Sequence, residues 1–208
     1  MCGYSRAEEV DRLLAAVNGK VITDSDLGLA RNLNVLVGFG RAAPTVSRQE
    51  EIDRLINREI LRQELENFPL QSEDQGRADQ RLEELKRGYA EIGGINLVLR
   101  RLGLQEQEIE AYLQLQASML RFIELRFRPF ITVTREEIRK YYDEQLVPRL
   151  RESGSPVPKL EEVSAQIEGV LVGDKVGRQL DEWIRDVRRH SRIEIFSDEK
   201  APVEEGAR

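Results

Sequence analysis

Residues 13–22 read LLAAVNGKVI, two short apolar runs on either side of Asn18-Gly19. Asn-Gly suits a type I′ turn because both residues tolerate positive φ, so this stretch predicts a tight β-hairpin. Just beyond it, Thr23-Asp24-Ser25-Asp26 offers side-chain oxygens to the free N–H groups of a helix start and carboxylates to its positive end. A helix is expected from there to about Val37. At the other end of the chain, Arg192-Ile193-Glu194-Ile195-Phe196 alternates as a strand does. One strand cannot satisfy its backbone groups alone, and a two-stranded hairpin is marginal, so 191–196 should join the hairpin of 13–22. The expected fold class is mainly α, a helical bundle with a small antiparallel β-sheet that pairs an N-terminal hairpin with a C-terminal strand.

The segments between these ends read as helices. GFGRAAPTVS at 38–47 breaks periodicity and is expected to be a loop. Ser47-Arg48-Gln49-Glu50 then has the form of a capping box, and Ile52, Leu55, Ile56, Ile60 and Leu65 recur near helical spacing. From Ser72 to about Ala90 the apolar positions thin to Leu82, Leu85 and Tyr89, a narrow stripe in a charged field. A short helix over Ile95–Leu102 should end at Gly103, and another should run from near Gln105 to Phe127. In that long helix Ile109, Tyr112, Leu113, Leu120, Ile123 and Phe127 are expected on the buried side, with Pro129 as the stop. Thr134-Arg135-Glu136-Glu137 repeats the capping-box form. ESGSPVP at 152–158 reads as a surface linker, and a long closing helix follows, its apolar face expected to include Ile167, Val170, Leu171, Leu180, Trp183, Ile184 and Val187. The tail from 197 to 208 is polar and expected to be disordered.

Composition narrows the chemistry. The chain has 208 residues, enough for one large domain or two small ones, and a net charge of −6, which disfavours nucleic acid as a partner. One cysteine, Cys2, and one histidine, His190, cannot form an intramolecular disulfide or the usual zinc frameworks. No stretch approaches the ~18 apolar residues of a membrane span. There is no GxxxxGK[ST] loop for ATP, and no cofactor or metal is expected. His190 follows Arg188-Arg189 at a helix end, where a cation is favoured, and no nucleophile pattern surrounds it, so no catalytic residue is assigned. The pairs Glu50-Glu51, Glu136-Glu137 and Glu161-Glu162 fall in first turns, where helix-start electrostatics accounts for them. The arginines at 121, 126 and 128 and at 185, 188, 189 and 192 are interleaved with acids, the pattern of solvated helix faces. Gly169, Gly173 and Gly177 recur every four residues in the closing helix, which reads either as a close-packing seam or as a bendable segment.

Several stretches together resemble the SurA-type chaperones and their peptidyl-prolyl isomerase relatives. VDRLLAAVNGKVITDSDL at 10–27 looks like the opening of the chaperone domain, and LINREILRQEL at 55–65 like its second core helix. Leu104 to Glu144 resembles the long helix, Arg-rich turn and V-T-x-x-E-I-x-x-Y-Y helix start, here Val133 to Tyr142. LEEVSAQIEGVLVGDKVGRQLDEWIRDVRRHSRIEIF at 160–196 resembles the closing helix and strand. In full-length relatives a parvulin isomerase domain sits between the Tyr-Tyr helix and the closing helix. A folded domain needs at least roughly 50 residues, and the interval 146–160 is far too short.

The resemblance implies one chaperone domain over 10–196, made of an N-terminal part at 10–151 and a closing helix and strand at 159–196, with 152–158 at the position of the missing insert. It implies an ATP-independent periplasmic holdase that binds unfolded polypeptides, outer-membrane proteins among them, and that is not an enzyme. The alternatives are an isomerase-family member with residual or lost activity and a structural domain-swapped dimeric scaffold; a homodimer is compatible with each. Cys2 fits the acceptor cysteine of a lipoprotein or a residue left by cloning. Client contacts are expected where apolar residues exceed one core stripe: Leu29, Val35, Leu36 and Phe39 around the first helix, and Leu115 and Phe122 in the long one. The competing account of these residues is that both helices are sandwiched inside the bundle or a dimer.

Overall fold

Asn18 and Gly19 turn the chain with φ of 49° and 85°. Strands β1 (Leu13–Val17) and β2 (Lys20–Thr23) leave this turn antiparallel, with Val17 opposite Lys20. Strand β3 (Ile193–Ile195) pairs antiparallel with the other edge of β1, Ala15 opposite Ile195, giving the order β2-β1-β3. The turn also fastens the incoming chain: the Asn18 N–H donates to the Arg192 carbonyl at 2.8 Å, and the Arg192 N–H donates to Asn18 Oδ1 at 2.9 Å. The structure is a computed structural model and describes residues 11–38, 46–68 and 74–196. It is mainly helical with one small antiparallel sheet, as the sequence predicts. Most of the expected loop at 38–47, the tail at 197–208, Cys2 and Phe39 lie outside the described residues.

Helix α1 (Asp24–Val37) starts at a capping box in which the Asp26 N–H donates to Thr23 Oγ1 and the Thr23 N–H to Asp26 Oδ2. Ser47 and Glu50 cap α2 (Arg48–Glu66) in the same reciprocal way, satisfying donors that a helix start leaves free. Then come α3 (Asp74–Gly88), a 3₁₀ turn at Ala90–Ile92, and α4 (Ile95–Leu102). Gly103 closes α4 at φ 67°, the left-handed conformation glycine adopts without a Cβ clash. Helix α5 (Glu106–Phe127) ends in a 3₁₀ turn containing Pro129. Helix α6 (Arg135–Tyr141) begins at the Thr134–Glu137 capping box and runs through a π-helical turn at Tyr142–Leu146 into α7 (Val147–Glu152). The sequence reading gave no sign of this π turn. Pro148 explains it: a proline there has no N–H for the carbonyl four residues back, and the chain widens instead, with the Val147 N–H bonded to the Tyr142 carbonyl. Helix α8 (Leu160–His190) then leads to β3.

The chain divides into two compact units. The first holds the described residues up to Ser118 and those from Val187 onward; the second is Met119–Asp186. Residues 152–158 lie within the second.

In the first unit, one apolar cluster joins Leu14, Ala15, Val17 and Ile22 of the sheet to Leu27 of α1 and Ile52, Ile56 and Ile60 of α2. A second gathers Leu33 and Leu36 of α1 with Leu82, Leu85, Tyr89, Leu99, Ile109 and Leu113. The buried Tyr89 hydroxyl donates to the Leu36 carbonyl at 2.7 Å. The end of α8 is fastened to α2, since Arg188 donates from Nη1 to Asn57 Oδ1 at 2.6 Å and from Nη2 to Asp53 Oδ1 at 2.9 Å.

In the second unit the rings of Phe122, Phe127 and Trp183 meet with centroids 5.5 to 6.4 Å apart, and Ile167, Val172 and Ile184 are also buried. The Arg126 guanidinium stands 5.2 Å from the Trp183 ring centroid, a cation–π position. Lys175 Nζ donates to the Thr132 carbonyl at 2.6 Å and to both Glu137 carboxylate oxygens, at 2.7 and 2.9 Å. This ties the start of α6 to the middle of α8. The Tyr142 hydroxyl donates to the Pro158 carbonyl at 2.7 Å, which anchors the chain just ahead of α8.

Two stripe assignments need correction. Leu120 was expected in the core of α5, but it is 58% exposed, whereas Phe122, read as off the stripe, is 1% exposed. A single period does not hold along α5, because the helix leaves the first unit after Ser118 and each unit recruits its own side chains. In α8, Val170 is exposed and Val172 buried in its place.

Candidate functional site

Of the six residues expected to contact a client, the five that the structure describes differ widely in exposure. Leu36 is fully buried and Phe122 nearly so, and neither presents area to a ligand. Leu29 is half-buried against the second cluster of the first unit, and Leu115 is half-buried. Val35 is exposed, the only one of the five described residues to be so, and Phe39 lies outside the described residues. The physical reason is that α1 serves two clusters, Leu27 entering one and Leu33 and Leu36 the other, with Leu29 and Val37 packed alongside. What looked like apolar excess is the width needed to fill both. The described part of α1 thus packs inside the bundle along Leu27, Leu33 and Leu36, with Val35 on its exposed side.

Exposed apolar surface gathers elsewhere, in the second unit. An open groove of about 820 Å³ runs between the C-terminal half of α5 and the middle of α8. Its apolar walls are Leu120, Ile123, Leu125 and Pro129 on one side and Val172 and Val176 on the other. Gly169 and Gly173 line it along α8, and a Cβ built on either would meet nothing within 4 Å. Among the described residues the glycine series therefore forms no close-packing seam. Gly169 and Gly173 leave gaps beside Val172 and Val176 in the α8 wall, and α8 stays helical through them. Val170 and Phe130 are further exposed apolar side chains of the same unit.

Charge is sparse in the groove. Arg121 stands 3.9 Å from Glu124, and Arg128 has no hydrogen-bond or ion-pair partner for its guanidinium among the described residues. The stable ionic device nearby is the Glu137–Lys175 pair: the Lys175 hydrogen bond, helped by the Thr134 N–H, holds the Glu137 carboxyl below the usual carboxylate range. A second groove, beside α6 and the start of α8, mixes Val133, Ile138 and Leu160 with Arg135, Glu136, Arg139, Glu161 and Glu168. Its walls alternate in charge and offer apolar area only in pieces.

Among the described residues no three His, Cys, Asp or Glu side chains stand together as metal ligands, and no helix is long and apolar enough to cross a membrane. His190 is the last residue of α8. Of the groove residues, the sequence singled out Gly169 and Gly173. The signal it missed was Leu120, whose spacing from Leu113 imitates a core position.

Compared with known proteins, the chain matches no family model and no curated protein. The resemblance to the SurA-type chaperones rests on the stretches quoted above.

Proposed function

We propose that the protein is an ATP-independent holdase that shields apolar stretches of non-native polypeptides, with outer-membrane proteins in the periplasm as the client class the family resemblance suggests. The observation that carries this reading is the open apolar groove of the second unit, with Leu120 and Leu125 exposed in its wall. A contiguous exposed apolar groove is the kind of surface that a binding partner covers. A broad groove without a dense hydrogen-bonding lining suits clients that share apolar character but no sequence. Binding of this kind sums many weak contacts and stays reversible, while the net charge of −6 keeps the loaded protein dispersed. The sheet that joins the two chain ends agrees with the order of segments in the SurA-type chaperone domain.

The test is dilution of a urea-unfolded outer-membrane β-barrel protein into buffer without ATP, with light scattering read against added chain. Aggregation should fall at stoichiometric amounts, and Gly173→Leu, which places a side chain in the groove, should weaken the effect. No suppression at stoichiometric amounts refutes the reading. Turnover of an Ala-Pro peptide should be absent, and measurable turnover would favour the isomerase alternative.

A further inference from the structure

We infer that the groove of the second unit prefers apolar polypeptide segments that carry a carboxylate, which Arg128 receives. This rests on the holdase reading and adds a selectivity that the reading does not contain. Three observations carry it. The walls are apolar, so a bound segment must present leucine-like side chains to Leu120 and Leu125. Of the charges in the groove, Arg121 and Glu124 stand 3.9 Å apart and offset each other. Arg128 has no partner for its guanidinium among the described residues, which leaves the groove locally positive on a chain whose net charge is −6. A guanidinium beside apolar walls is more weakly hydrated than an ammonium and forms paired hydrogen bonds with a carboxylate. A neutral apolar segment leaves that cation unmatched, and a basic one meets repulsion from it. The groove thus reverses the preference that overall charge alone would give, which is for basic clients.

The experiment uses three labelled 12-residue peptides of alternating Leu and Ser that differ only at one central position, Glu, Gln or Lys, titrated against the whole chain by fluorescence anisotropy. The Glu peptide should bind about two- to fivefold more tightly than the Gln peptide, the range expected for one partly exposed ion pair, with the Lys peptide weakest. The ratio should shrink toward one in roughly 0.5 M salt, where the Debye length falls to a few ångströms. Arg128→Gln should abolish the Glu-over-Gln ratio and Arg128→Lys should restore part of it, while Arg139→Gln, outside this groove, keeps it. Equal affinities for all three peptides, or a ratio that survives Arg128→Gln, overturns the inference and leaves the holdase reading standing. Absence of binding by every peptide overturns the inference, and together with no suppression of aggregation it overturns the holdase reading as well. Laurate that displaces the Glu peptide at lower concentration than the Gln peptide itself does would assign the groove to a lipid and also overturn the inference.

Discussion

Replacing Gly169, Gly173 and Gly177 by alanine, singly and together, should stabilise the protein, and the three sites should differ in what they do to client holding. All three sit inside α8, none has a left-handed φ, and a Cβ at each would meet nothing within 4 Å. No steric term opposes the change, so only helix propensity remains, about 0.8–1.0 kcal/mol per site in favour of alanine. The triple variant should gain about 2.5–3 kcal/mol. At roughly 2–4 °C per kcal/mol for a chain of this size, its melting temperature should rise by about 5–12 °C. Circular dichroism at the helical minimum, followed through heat and through urea, measures both. Gly169 and Gly173 line the groove and Gly177 does not, so Gly177→Ala should stabilise without altering aggregation suppression, while the other two also narrow the site. Destabilisation by any single alanine would refute the reasoning, because it would require another backbone to press against α8 where the structure leaves open space.

Further outcomes follow from the same contacts. Arg188→Ala removes the bonds to Asp53 and Asn57 at a half-exposed site and should cost about 1 kcal/mol, with a double-mutant cycle against Asp53→Ala showing coupling below that figure. Gly19→Ala puts a side chain at φ 85° and should destabilise by about 1–2 kcal/mol in urea titration, more than Gly177→Ala stabilises. Glu137 has a depressed folded pKa, so its contribution is present above the ordinary glutamate value, about 4.3, and is lost as pH falls through the lower folded value. Glu137→Gln should therefore be less stable than the parent at pH 7, and the two urea curves should converge in strong acid. Pro148→Ala restores the missing N–H donor, so the π turn at Tyr142–Leu146 should tighten toward an α-helix, read as slower amide exchange at residues 147 and 148.

The parts of the fold that were legible are those written in local chemistry. Asn18-Gly19 names its own turn, Ser47–Glu50 and Thr134–Glu137 name helix starts, and Gly103 names a helix end. The pairing of β3 with β1 followed from the backbone requirement that a lone strand find a partner. What local chemistry could not carry was the allocation of apolar side chains. Leu36 and Phe122 looked surplus because the reading allowed each helix one buried face, whereas α1 feeds two clusters and α5 passes between units. Leu120 looked buried for the same reason. The groove escaped because it depends on α5 and α8 being neighbours, and nothing in either helix alone announces the other.

Ala15 and Ile195 face each other across the sheet although they stand roughly 180 residues apart along the chain. The first unit is thus discontinuous, while the whole of Met119–Asp186 is encoded between its two pieces. A chain emerging N-terminus first can assemble the second unit from consecutive residues, but the free edge of β1 stays bare until the last strand arrives. Closure of that edge entails a long-range loop entropy and is expected to be the slow step of folding. Until then the unfinished molecule presents an open strand edge to its surroundings, and so resembles, for a time, the kind of client it is proposed to protect.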